Sequence, residues 1–362
     1  MMLLESLKIT NFKNIREADM AFSPKINCLI GNNGMGKSNL LDAIYLLSFA
    51  KSYTGVPDSS LITNGEQFAM VRGEYIRRDT PESVSVSLGG GRRKILRRGD
   101  KAYQRVSQHI GMFPLVLSSP ADMELAGGTP ECRRRFIDQV ISQSDPVYLD
   151  ALLRYNHALE QRNSMLRNEI SDPVLYEAVE LAMAVAADIL VGRRAGFVSS
   201  LVEIFSRYHA DIAGAGGENV TMAYQSAMAD GTSLAELLDR NRRRDAILHH
   251  TSAGPHRDDL ELTLNDLPLR RTASQGQAKT YTVALRLAQY DFLRQATGVT
   301  PLLLLDDLFD KLDAERVDRI VATVSRDSFG QIFITDTKAA VGSLPAGTAS
   351  WRAEHGAFTP GL

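Results

Sequence analysis

Two cysteines in 362 residues are too few for a disulfide framework or for the paired spacings of a zinc site. No apolar run approaches the roughly 20 residues of a membrane-spanning helix. Met1-Met2-Leu3-Leu4-Glu5 lacks the basic-then-apolar profile of a secretion signal. A cytoplasmic, reduced protein is expected. Charge of one sign is missing too: 41 basic against 43 acidic residues leave a formal net charge of −2, so the chain as a whole is no polycation. There is no recognition-helix pattern, zinc finger or aromatic stacking series, which argues against base-specific readout of nucleic acid. No heptad array of coiled-coil length is found. What remains is an ordinary globular composition, 44% hydrophobic and 23% charged, in a chain long enough for two lobes.

Against this background one stretch stands out. Ile26-Asn27-Cys28-Leu29-Ile30-Gly31-Asn32-Asn33-Gly34-Met35-Gly36-Lys37-Ser38 is an apolar run followed by G-x-x-x-x-G-K-S, and an apolar helical pattern opens at Leu40-Leu41. Strand, glycine-bearing loop and helix, in that order, are the context of a phosphate-binding P-loop. Loop amides and the helix N-terminus present aligned N–H groups to an anion. Lys37 is the residue to reach the β- and γ-phosphates of a nucleoside triphosphate, and the Ser38 hydroxyl the one to hold Mg²⁺.

A second run, Thr300-Pro301-Leu302-Leu303-Leu304-Leu305-Asp306-Asp307, fits a fully buried parallel strand ending in two carboxylates, with Pro301 tolerated at its first position. The carboxyl end of such a strand lies beside the P-loop in α/β sheets. Asp306 is then expected to hold Mg²⁺ through water and Asp307 to orient the attacking water. Between the two motifs, Thr272-Ala273-Ser274-Gln275-Gly276-Gln277-Ala278-Lys279 leads into a helical pattern with apolar residues at 281, 284, 285 and 288. Ser274 reads as a helix cap, or as part of a second phosphate-binding helix end used across a dimer interface.

A Walker A motif near the N-terminus, an S-x-G-Q element about 240 residues later and a Walker B about 30 residues further on resemble an ABC-type ATPase head. The S-Q-G-Q form, the double aspartate and Ser252-Ala253-Gly254-Pro255-His256-Arg257-Asp258-Asp259 narrow the resemblance to the RecF family, bacterial recombination-mediator ATPases related to SMC heads. Leu7-Lys8-Ile9-Thr10-Asn11-Phe12-Lys13-Asn14, Arg133-Arg134-Arg135-Phe136-Ile137-Asp138 and Gln161-Arg162-Asn163 extend it along essentially the whole chain. The resemblance implies that Gly31, Asn32, Asn33, Gly34, Met35, Gly36, Lys37, Ser38 and Asn39 cradle the phosphates of ATP. It implies that Asp306 and Asp307 are the Walker B pair. Ser274, Gly276 and Gln277 match the signature that touches the γ-phosphate in the partner subunit. Asp313, in Lys311-Leu312-Asp313, occupies the D-loop position, and Lys13 matches the basic residue that SMC-like heads place near the phosphates.

Some positions depart from the pattern. Asp307 stands where ABC heads carry Glu, so slow hydrolysis is expected. Thr335-Asp336-Thr337 replaces the switch histidine of transporters. Pro120-Ala121-Asp122 offers no Q-loop glutamine, and Lys51-Ser52-Tyr53-Thr54 stands where the family often carries Ser-His-Arg.

The expected architecture is α/β: an ABC-type P-loop ATPase head with an inserted, mostly helical second lobe. The ATPase lobe is expected from residues 1–129 and 251–362 together, and the helical lobe from 130–250. Helical spacing covers about 130–143, 146–170, 174–208 and 232–249, and short strands are read near 68–77, 83–88, 93–98 and 114–117. A β-hairpin is read over 258–271. Arg92, Arg93, Lys94, Arg97 and Arg98 lie in a hairpin with six basic residues between 91 and 101, the favoured element for contacting a DNA backbone. Arg133 to Arg135, Arg193-Arg194 and Arg242 to Arg244 are further basic clusters, each also readable as a solvated face.

For function, the resemblance implies an ATP-gated homodimeric DNA clamp at junctions between single-strand gaps and duplex, working with RecR and RecO to load RecA. Rival readings are another SMC-like ATPase, of defence or overcoming type, a transporter ATPase subunit and a small-molecule phosphotransferase. The absent switch histidine and the S-Q-G-Q signature speak against the transporter. A phosphotransferase has no need to dimerise on ATP.

Overall fold

Alternation of apolar and polar side chains from Met2 onward produces a long antiparallel pair, β1 (Met2–Phe12) and β2 (Ile15–Ala21), turning at Lys13 (φ 51°). The computed structural model describes residues 2–214, 217–308, 312–337 and 347–361. After β3 (Ile26–Ile30) and α1 (Lys37–Phe49) come β4 (Phe68–Arg77), β5 (Thr80–Gly89), β6 (Arg92–Arg98), β7 (Lys101–Ala102) and β8 (Leu115–Ser118). Helices α2 (Met123–Gly127), α3 (Pro130–Ser144), α4 (Pro146–Arg167) and α5 (Pro173–Ala213) follow, then β9 (Val220–Gln225), α6 (Leu234–Leu248), β10 (Asp259–Leu264), β11 (Leu267–Pro268) and α7 (Leu269–Thr272). The chain ends with α8 (Gln275–Thr297), β12 (Leu302–Leu305), α9 (Ala314–Val324), β13 (Ile332–Asp336), β14 (Ala349–Glu354) and β15 (Ala357–Pro360).

Internal packing separates two units. The first comprises Met1–Asp122, Tyr208–Ala215 and Gln275–Leu362; the second comprises Met123–Arg207 and Gly216–Ser274. The division places 251–274 in the second unit, whereas the sequence reading puts that stretch in the ATPase lobe. The reason is pairing: β10 is hydrogen-bonded to β9 over six residue pairs, from Asp259↔Gln225 to Leu264↔Val220.

The first unit contains two six-stranded sheets. One is antiparallel, in the order β2-β1-β4-β5-β6-β7. The other runs β15-β14-β3-β13-β12-β8 and is parallel except for the edge strand β15. Strand β12 is buried at all four positions, as an apolar run covered on both faces should be. Helix α1 is buried at eleven positions, Lys37 and Leu40 to Phe49, and its Leu40, Leu41, Ile44 and Leu47 share a core with Leu4, Leu7, Val71, Val86 and Phe333. That packing fixes where the helix begins, and so where the loop before it points.

Several elements differ from the sequence reading. Helix α5 runs to Ala213 rather than 208. The 258–271 hairpin has a second strand of only two residues, because the chain coils at once into α7, whose Leu269 is buried. Strands β9, β14 and β15 are not anticipated; β14 gives only one buried position in six, too weak an alternation to read.

Candidate functional site

The parallel sheet brings the two nucleotide motifs to one edge. Both β3 and β12 run parallel to β13, which lies between them. Their carboxyl ends therefore open on the same side, where α/β sheets bind ligands. After β3 the loop turns through Gly36 at φ 105°, a backbone region that side-chain-bearing residues avoid, directly before α1. Gly31 has a different constraint: a Cβ there would lie 2.4 Å from the Ala353 carbonyl oxygen, because β14 packs against the loop. Gly356 N–H donates to Met35 O at 2.9 Å from the β14–β15 turn. On the other side Asn14 Nδ2 donates to Gly34 O at 3.3 Å, and Asn39 Nδ2 donates to Asn14 Oδ1 at 2.8 Å. Lys37, 5% exposed, donates through Nζ to Gly31 O at 2.6 Å and Asn32 O at 2.9 Å. Its ammonium is thus held inside the loop it follows.

Asp306 is the hub. Its Oδ1 accepts from Ser38 Oγ at 2.9 Å and from Thr335 Oγ1 at 2.7 Å, and its Oδ2 accepts from Tyr53 OH at 3.1 Å. The Asp306 N–H donates to Ser118 O at 2.8 Å, tying the strand ends of β12 and β8. Asp307 adopts φ 46° and donates its N–H to Thr335 Oγ1 at 2.9 Å. A hydroxyl and a carboxylate side by side, Ser38 and Asp306, are hard oxygen donors of the kind Mg²⁺ takes, and they are the residues that fit it here. Burial first, then the charges of Asp306 and Asp42, push the Tyr53 phenol well above its ordinary pKa, so it stays a donor. Neither Tyr53 nor Thr335 is singled out by sequence except as a departure from the family pattern; the β13 register, with Thr335 one residue beyond the Leu305↔Ile334 pair, is what aims Thr335 at Asp306.

Lys13 forms an ion pair with Asp42 at 2.6 Å. The same buried carboxylate, on α1, accepts from Ser52 Oγ at 2.7 Å and Tyr53 N–H at 2.9 Å. The signature residues lie at the start of α8: Ser274 immediately precedes its first residue, and Gly276 and Gln277 are in its first turn. Asp313 caps α9, accepting from Arg316 N–H at 2.9 Å; Lys311 lies outside the described residues. In the place of a Q-loop glutamine, Asp122 accepts twice from the Arg286 guanidinium of α8, at 3.0 and 2.7 Å.

The basic hairpin is real, with Arg98 opposite Lys101 in the β6–β7 pair. Its cations are not equivalent. Lys94 donates to Ala50 O at 2.6 Å and pairs with Asp58 at 3.0 Å, and Arg98 grips Glu82 at 2.6 and 2.8 Å. Arg93 and Arg97 are exposed. The side chain of Arg92 lies outside what is described.

The three phrases that carried the resemblance in mid-chain meet inside the second unit. Arg194, buried, donates to Asp138 and Tyr148 and reaches Pro255 O at 2.7 Å. Arg162, also buried, donates to Glu180 at 2.9 Å and to Asp245 and Thr251 at 2.8 Å. Tyr155 OH bonds His256 Nδ1 at 2.7 Å, and Arg133 forks onto Asp259 at 2.7 and 2.8 Å. Buried arginines persist only with such compensation. These phrases therefore hold the 251–259 loop in shape.

Among the described residues no helix is long and apolar enough to cross a membrane, and no group of three or more His, Cys, Asp or Glu is arranged around a metal position. Fold and site define an ABC-type P-loop head of the SMC kind. The RecF/RecN/SMC N-terminal domain model matches residues 3–343. A DNA replication and repair protein RecF of Porphyromonas gingivalis is 45% identical over 359 residues, 99% of this chain and 98% of that one. The counterpart in Phocaeicola vulgatus is 48% identical over 340 residues, 93% of this chain and 91% of the other. A solved structure of the recombination mediator RecF with ATP superposes at a TM-score of 0.90 with 27% identity, covering 100% of this chain and 98% of that one. The Smc head of Pyrococcus furiosus shares the fold at a TM-score of 0.62. The chain belongs to the RecF family of DNA replication and repair proteins.

Proposed function

We propose that the protein is a cytoplasmic, ATP-gated DNA clamp that hydrolyses ATP slowly and acts with RecR and RecO to load RecA at junctions of single-strand gap and duplex. The single observation that supports this best is the Ser38–Asp306 contact at 2.9 Å, which joins Walker A to Walker B across 268 residues of sequence. In this reading Gly31 to Asn39 hold the phosphates and Lys37 exchanges its loop carbonyls for them, neutralising charge on the β- and γ-oxygens. Ser38 and Asp306 hold Mg²⁺, which when bound offsets the phosphate charge. Asp307, fixed through its N–H, orients water for attack, and its short side chain keeps turnover low.

Ser274, Gly276 and Gln277 of one subunit are assigned to the γ-phosphate held by its partner, with Asp313 and Lys13 nearby. ATP then favours the dimer to the extent that it binds that state better. Arg93 and Arg97 are assigned to the DNA backbone; the clamp is sequence-independent. The relative bound to ATP supports the ligand, and the RecFOR pathway named for it supports the partners. Equilibrium binding of ATP with and without Mg²⁺, in the protein and in Lys37→Ala, tests the reading. Tight Mg²⁺-dependent binding abolished by Lys37→Ala is expected; binding indifferent to Lys37 would overturn it.

A further inference from the structure

We propose that Tyr53 is a positioning residue of the nucleotide site, acting through Asp306 to set how readily the site takes its divalent cation; this rests on reading Ser38 and Asp306 as the Mg²⁺ pair. Three hydroxyls converge on that carboxylate, and they are not interchangeable. Ser38 and Thr335 both donate to Oδ1, while among the described residues the hydrogen bond on Oδ2 comes from Tyr53, at 3.1 Å. A cation that takes a lone pair of the Ser38 oxygen leaves its O–H free to go on donating to Oδ1. The carboxylate is then held by Ser38 and Thr335 on one oxygen and by Tyr53 on the other. The carboxylate torsion of aspartate is broad and roughly two-fold, so a second restraint on the opposite oxygen is what fixes its plane.

Tyr53 is itself anchored. Its N–H donates to Asp42 Oδ1 at 2.9 Å, the neighbouring Ser52 hydroxyl donates to Asp42 Oδ2 at 2.7 Å, and its ring meets Tyr45 edge-on at 5.8 Å. Asp42 lies one turn beyond Ser38 on α1. One helix therefore carries both the hydroxyl of the cation pair and the anchor of the residue that orients the carboxylate. Lys13, paired with Asp42 at 2.6 Å, balances the charge of that anchor. The arrangement is preorganisation of a ligand by residues behind it, the role that outer-shell partners play in metal sites.

Tyr53→Phe removes only the hydroxyl and keeps the ring against Tyr45. The test is a Mg²⁺ titration of a fluorescent, hydrolysis-resistant ATP analogue bound to the full chain, with metal-free nucleotide affinity and the melting temperature measured alongside. The half-saturating Mg²⁺ concentration should rise about three- to tenfold, the range set by loss of one ordinary hydrogen bond. Metal-free affinity and melting temperature should match the unaltered protein, and kcat should recover at high Mg²⁺. An unchanged or lower half-saturation overturns the proposal, as does a rise matched by equal loss of metal-free affinity. If the unaltered protein shows no Mg²⁺-dependent nucleotide binding, the site reading falls with it; if only the variant fails to differ, the role of Tyr53 alone falls.

Discussion

Thr335 donates its hydroxyl to Asp306 Oδ1 at 2.7 Å and with the same oxygen accepts the N–H of Asp307 at 2.9 Å. One side chain on β13 thus holds both carboxylate-bearing residues at the end of β12. Thr335→Val deletes the donor and strands the Asp307 N–H, whose residue already sits at φ 46°. Loss of about 1–2 kcal/mol of positioning predicts a roughly tenfold lower turnover with ATP affinity changed little, while Thr335→Ser should retain activity. Steady-state ATPase assays with parallel nucleotide titrations decide this; equal turnover in the Val variant would contradict it.

Arg162 and Asp245 form a buried pair at 2.8 Å in the second unit, both essentially inaccessible. Removing one partner leaves a charge without compensation, so Arg162→Ala should cost about 3–5 kcal/mol in stability. Urea denaturation measures it, and a loss below about 1 kcal/mol would show the pair to be incidental.

Two histidines make stability fall in mild acid. Burial holds His109 at a pKa of about 4, with its Nε2 donating to Leu47 O at 2.6 Å and its Nδ1 without a hydrogen-bond partner among the described residues. Burial also holds His256 at about 4, with Tyr155 donating to Nδ1 and Nε2 donating to Thr251 O at 3.0 Å. Both folded values lie below the unfolded value of 6.5. The unfolded chain therefore binds more protons between pH 4 and 6.5, and stability rises with pH across that window. It is fully present above pH 6.5 and lost as pH falls toward 4, by up to about 3 kcal/mol per histidine. Melting temperature against pH should flatten in His109→Phe. An unchanged slope would contradict the assignment.

On β6, outward and inward cations should separate cleanly. Arg93→Glu with Arg97→Glu should weaken duplex binding and shrink the salt slope by about two, with the fold intact. Lys94→Ala should instead lower the melting temperature, because it breaks the contacts to Ala50 and Asp58. DNA titrations at several salt concentrations test both; equal effects of all three residues would show that the division by exposure is wrong.

Sequence reading succeeds where one local pattern suffices. The P-loop carries its own glycines, lysine and flanks, and Leu302 to Leu305 announce a covered strand followed by Asp306. It fails where a partner comes from far along the chain. Nothing near Tyr53 signals that its phenol will meet a carboxylate 253 residues away, and nothing near Arg98 signals that Glu82 will engage it. Thr335 looks like a missing histidine until the β12–β13 register puts its hydroxyl on Asp306. The phrase around His256 is recognisable as a family mark, but its physical purpose appears only when Arg194, Tyr155 and Asp138 close around it.

In the proposed function ATP joins two subunits through Ser274 and Lys37. Light-scattering mass in ATP, ADP and no nucleotide, with Mg²⁺ and a gapped duplex, tests it most directly. A shift from 39.8 kDa to roughly twice that value is expected with ATP alone, lost in Lys37→Ala and in Ser274→Arg and strengthened by DNA. A mass that stays monomeric in saturating ATP would contradict it.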